Sequence, residues 1–185
     1  MFGAHEIGTY RAIVTPYMTT TNLRPADALR AALKAAGLTA RQVTIRQQHS
    51  TLHVTIRDAA TSLTRVTAIA APFENVRRDQ ASGEILCGGN TYVEVAYTAA
   101  VIAPLKATIR AVLDPAPSDE FVELPNGYRA LKVSRAHGAS YFGEVRIWGP
   151  GFDERNRIAV GADFAAERIA VAWLDASASG EGSAA

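Results

Sequence analysis

Cys87, four histidines and two pairs of adjacent carboxylates are the residues of this chain whose types could carry chemistry. A cysteine serves as a nucleophile when a base and a positive field hold it as thiolate, often at a helix N-terminus. Cys87 stands in Leu86-Cys87-Gly88-Gly89-Asn90, ahead of an alternating strand, so the helix that would activate it is missing. It reads as a small buried or half-buried hydrophobic residue beside a turn. His49 and His53 are four apart, a spacing that suits zinc when both lie on a helix. Here they fall on a predicted hairpin, where that spacing gives no common ligand face. No serine or cysteine motif accompanies His5 or His137. Asp119-Glu120 and Asp153-Glu154 are neighbours on extended or loop chain, and point apart rather than forming an acid–base pair. Gly88-Gly89-Asn90 is the closest approach to a phosphate loop, but it leads into a strand and offers no helix N-terminus to an anion. The glycines predict a sharp turn of positive φ. A hydrolytic or metal enzyme built on His49, His53 or Cys87 therefore stands third among three functional expectations.

The basic residues give another. Lys34, Arg41, Arg46, Arg57, Arg77 and Arg78 fall in the more cationic part of the chain, with His53 and Tyr92 among them. Arginine and aromatic side chains on an exposed sheet face suit single-stranded nucleic acid or RNA. Arg46, His53, Arg57, Arg77, Arg78 and Tyr92 are the predicted nucleic-acid or partner-binding residues, although Asp58, Glu74, Asp79 and Glu94 intersperse them.

These side chains need elements to hold them. Ile7 to Thr15 is β-branched and aromatic, which predicts a strand. Pro25 is placed for a first helical turn, Leu29, Leu33 and Ala36 recur at helical spacing, and Gly37 is a stop, so a helix is expected over 24–36. Val43 to Gln47 and Leu52 to Arg57 alternate, predicting a hairpin with Arg46, His53, Thr55 and Arg57 on its wet face. Leu63, Val66 and Ile69 predict a second helix within 60–71, closed by Pro72. Asp79 to Gly83 is turn chemistry between two short arms. In Tyr92 to Tyr97, Val93, Val95 and Tyr97 share one face and Tyr92, Glu94 and Ala96 the other. A third helix over 99–113 contains Pro104, which implies a start near it or a kink.

Beyond the prolines at 115 and 117 the pattern changes. Pro125-Asn126-Gly127 between Phe121–Leu124 and Tyr128–Val133 predicts a hairpin. Phe142–Trp148, Arg157–Val160 and Arg168–Leu174 extend it into a meander, and residues 176–185 read as a flexible tail. The expected fold is α+β: an antiparallel sheet covered by helices on one face, then a C-terminal antiparallel β-meander. Residues 1–114 form one module, and 115–175 pack on it or form a small second domain.

The chain has 185 residues, 48% hydrophobic and 20% charged, which is globular composition. Net charge is +1, but residues 1–114 sum to +4 and 115–185 to −3. One cysteine excludes an internal disulfide. With no apolar run of membrane-spanning length and no basic start followed by an apolar stretch, a cytoplasmic protein is expected. No cofactor is expected, and the partner is protein or nucleic acid. Exposed sheet edges also leave room for a homodimer.

The order Leu29–Gly37, Val43–Arg46, Leu52–Asp58 and Gly83–Val95 resembles the large polyvalent protein associated domains of phage and plasmid polyproteins and some actinobacterial proteins. Ser82 through Tyr97 is its most specific part, and the resemblance runs from about Leu29 to Leu105. It implies a small α+β accessory module of mobile elements, associated with conjugation, DNA handling or anti-defence. No catalytic residues come with it. The leading expectation is therefore a non-enzymatic binding protein of a phage, plasmid or actinobacterial host. Residues 115–185 resemble no family.

Overall fold

The computed structural model describes residues 24–124, 127–140, 143–149 and 158–180. The strand expected at Ile7–Thr15 lies outside them. Chain order is α1 (Pro25–Ala35), β1 (Val43–Gln48), β2 (Thr51–Ile56), α2 (Leu63–Ala70), β3 (Tyr92–Tyr97), α3 (Ala99–Leu113), β4 (Phe121–Glu123), β5 (Arg129–Lys132), β6 (Glu144–Trp148), β7 (Ile158–Gly161) and α4 (Ala162–Ala178). The fold is α+β, as the pattern predicts. No helix among the described residues is long and apolar enough to cross a membrane.

In α1 the proline at its first turn and the spacing of Ala26, Leu29 and Leu33 do what the sequence implies: one stripe is buried. The Ser62 hydroxyl accepts the Arg65 amide and caps α2. The first sheet has the order β1-β2-β3. β1 and β2 form the expected antiparallel hairpin, whereas β3 runs parallel to β2. Parallel pairing needs a crossover, and the chain supplies it through α2 and the 71–91 segment. Leu52, Val54 and Ile56 are buried, with Val43 and Tyr97 beside them, under α1 and α2.

The second sheet is an antiparallel meander, β4-β5-β6-β7. Two expectations need correction here. Arg168–Leu174 is no strand; it lies within α4, where Ala165, Ala166, Ile169, Ala170 and Leu174 form a buried stripe of helical period. Ala176–Ala178, expected to begin a tail, belong to the end of that helix. The third helix spans Ala99–Leu113, the range expected for it, and continues through Pro104 rather than starting near it. α4 packs on β6 and β7 and on α3, and one connected set of buried residues draws on both sides of the proline-rich segment.

Candidate functional site

Alternation along three strands leaves one face of the first sheet without a helix among the described residues. Strand register sets its side chains in rows: Gln48–Thr51–Tyr92, Arg46–His53–Glu94 and Thr44–Thr55–Ala96. None of these residues is buried. His53 Nδ1 lies 3.0 Å from Glu94 Oε2. Three of the six predicted residues, Arg46, His53 and Tyr92, thus share this face. Arg57 follows β2 at the far end, its amide bonded to the Gln42 carbonyl at 2.7 Å. At about 3.3 Å per residue it stands roughly 13 Å from His53.

Arg77 and Arg78 lie elsewhere, on an exposed arm held by the bridges Asn75↔Thr91 and Arg78↔Ile85. Asn90 organises the arm's base. Its Oδ1 accepts the Arg77 amide at 2.9 Å, and its Nδ2 donates to the Leu86 carbonyl at 2.8 Å and the Tyr92 hydroxyl at 3.4 Å. At the tip, Asp79 accepts the Ala81 and Ser82 amides. The Ser82 amide contributes most to holding that carboxyl below its usual range. Gly88 and Gly89 have φ of 84° and 72°, the turn their types predict. Where arm meets sheet, a cleft of about 330 Å³ is lined by Ser50, Leu86, Cys87, Asn90 and Tyr92 among others. Cys87, expected to be buried or half-buried, is exposed there, because the arm that carries it projects from the sheet.

His49 occupies the β1–β2 turn at φ 52°, while His53 points from the open face. Among the described residues no group of three His, Cys, Asp or Glu is placed to hold a metal ion. One cluster joins residues that the sequence leaves apart, Asp119 on extended or loop chain and His137 without a serine or cysteine motif. Asp119, at φ 66°, accepts the Ser134 amide at 2.9 Å, and its other oxygen lies 2.9 Å from His137 Nδ1. Ser134 Oγ is 3.1 Å from that same nitrogen. A serine hydrolase needs the serine on one imidazole nitrogen and the acid on the other. Here both use Nδ1, so the carboxylate occupies the position from which a base would act. The cluster instead closes the 3-10 turn Arg135–His137. Only the Ser134-x-x-His137 spacing hinted at it.

Glu144 also went unremarked. It is 1% exposed, receives the Arg146 Nε at 2.7 Å and the Ser140 amide at 2.6 Å, and Arg146 in turn donates to the Gly138 carbonyl. The Arg146 guanidinium holds its carboxyl below the usual range. Comparison with known protein families, curated proteins and solved structures finds no match to this chain.

Proposed function

We propose that this protein is a binding module without a reactive centre of its own, an accessory protein of a phage, plasmid or actinobacterial host that bears on host defence or DNA handling. The observation that carries the reading is the sheet face left uncovered among the described residues, on which Arg46, His53, Thr55 and Tyr92 stand in register while the opposite face buries Val43, Leu52, Val54, Ile56 and Tyr97. A polar sheet face left open by its helices is available to a macromolecule. The resemblance of Ser82–Tyr97 to mobile-element modules supports the accessory role. Affinity capture from host lysate, with and without nuclease, tests it. Specific protein or nucleic-acid capture that Arg46→Glu removes is expected; capture unchanged by Arg46→Glu sinks the assignment to this face.

A second reading takes nucleic acid as the partner, favoured by the placing of Arg46 and Tyr92 in adjacent rows with Arg57 beyond. Tyr92 is a stacking surface and the guanidiniums are phosphate partners. Glu94 beside His53 opposes it. A mobility shift of a single-stranded oligonucleotide at low salt, weakened by added salt and by Arg57→Glu, is expected. No shift at low salt removes the reading.

A further inference from the structure

The outer edge of β1, which no strand pairs with among the described residues, is a different surface from the open face, and its chemistry is more specific. Ladder geometry fixes which backbone groups point outward. The Arg57 amide bonds the Gln42 carbonyl, while the Tyr92 and Thr98 amides bond the carbonyls of Ser50 and Ile56. Odd-numbered β2 residues therefore face β1, and Val43, Ile45 and Gln47 of β1 turn their N–H and C=O groups outward. The Val43 amide is taken by the Thr39 carbonyl, and the Ile45 carbonyl by Arg30 Nη2 at 3.1 Å. The Ile45 amide and both groups of Gln47 have no backbone partner among the described residues.

Beside this edge runs an apolar groove of about 630 Å³ between α1 and β1, lined chiefly by Leu33, Leu38, Val43 and Ile45, with Arg30 and Lys34 contributing. No residue of β2 or β3 lines it, so it opens along the edge itself. Arg30 and Lys34 line it, and Arg46 stands on the open face of the same strand. Asp27 pairs with Arg30, but no carboxylate among the described residues pairs with Lys34, Arg41 or Arg46.

We propose that the outer edge of β1 and the adjoining groove form a docking site for an extended segment of another protein, in which apolar side chains alternate with acidic ones. The alternation follows from strand geometry. An added strand sends every second side chain to the helix side, into the groove, and the others to the open face beside Arg46. Main-chain pairing at Ile45 and Gln47 supplies the register. Lys34 lines the groove, and an incoming carboxylate gives it a partner at the rim. A second copy of this chain fits less well, because two β1 edges paired about a two-fold would bring their cations together. Nucleic acid would use neither the strand edge nor the apolar lining.

The test uses the whole chain, isotope-labelled, titrated with an end-capped nonapeptide of alternating glutamate and valine. Saturable amide shifts at Ile45, Gln47, Leu33 and Lys34 are expected, with at least tenfold weaker binding to Lys34→Glu. A version of the peptide N-methylated along its pairing edge should not bind. Gln47→Pro removes an outward donor without changing charge, and should also weaken binding while the spectrum stays dispersed. Equal binding of a lysine–valine peptide, shifts that spare β1, no saturation at millimolar peptide, or a concentration-dependent dimer that protects the β1 amides would each overturn the proposal. These outcomes are independent of whether Arg46→Glu abolishes capture through the open face.

Discussion

Asp175 accepts the Ser62 hydroxyl at 2.7 Å and the Thr64 amide at 3.0 Å, so a residue near the end of α4 caps the start of α2, more than a hundred positions earlier. Burial alone would raise its pKa; the Thr64 and Ser62 hydrogen bonds outweigh that and hold it low. A depressed carboxyl stabilises the fold above its unfolded pKa, and that contribution disappears as pH falls through the folded value. Asp175→Ala should cost about 1–3 kcal/mol in denaturant unfolding at neutral pH, and lose part of the wild-type acid sensitivity. An unchanged midpoint would show that the contact holds nothing. Next to it, the Tyr97 hydroxyl donates to the Thr61 carbonyl at 2.9 Å. Burial, then the Asp175 charge, pushes this phenol up to about 12. The sign is opposite to that of the acid. The protonated form is the one the fold prefers, so its stabilisation is whole below pH 10 and disappears between about pH 10 and 12. Unfolding midpoints across that range should fall in the wild type and flatten in Tyr97→Phe. The open-face residues were legible because alternation alone decides which side chains share a strand face. The Asp175 cap was not, since no local pattern links residues so far apart.

At the level of elements, α4 is the informative error. Ile169, Val171 and Trp173 alternate with alanine, and over seven residues that imitates a strand. Alanine decides the matter: it is the strongest helix former and small enough to be buried, and Ala165, Ala166 and Ala170 all sit in the core stripe. Ile169→Ala should destabilise by about 2–5 kcal/mol as its side chain leaves a filled site. Val171→Ala, half-buried on the same helix, should cost less, and thermal melts of the two would rank them. Pro104 shows the converse, a breaker overridden by packing. Ile102, Ile109 and Leu113 are buried on either side of it, which holds α3 together although Pro104 cannot donate to Ala100. The Pro104 ring is exposed. Pro104→Ala should therefore raise the melting temperature, with a gain of about 1–2 kcal/mol after the unfolded chain's added freedom is counted. A lower melting temperature would mean that the ring is itself a packing element.

For the whole molecule, the opposite charges of residues 1–114 and 115–185 meet at a seam. Lys106 of α3 lies 2.7 Å from Asp163 and 3.0 Å from Glu167 of α4, and Arg110 lies 3.8 Å from Asp163. The hydrogen bonds that Lys106 donates to these carboxylates raise its pKa, and Lys106 in turn lowers that of Asp163. The pairs are solvent-exposed, so they favour the matching of α3 and α4 more than they stabilise it. Lys106→Glu should lower the unfolding midpoint slightly in dilute buffer, with the difference fading in molar salt. A salt-independent loss would point to packing by the lysine stem instead. Acid should weaken the seam together with the Glu144–Arg146 pair, because both rest on ionised carboxylates.

From the amino-acid order alone came α1, the β1–β2 hairpin, α2, β3, α3, the four strands of the meander and the side chains of the open face. All of these follow from local rules of period, turn chemistry and capping. Tertiary contact decided the rest: the parallel seat of β3 on β2, the helical state of α4, and the meeting of Asp119, Ser134 and His137. Each depends on which distant backbone or apolar surface is available to bury or bond against, and neighbours in sequence carry no record of that.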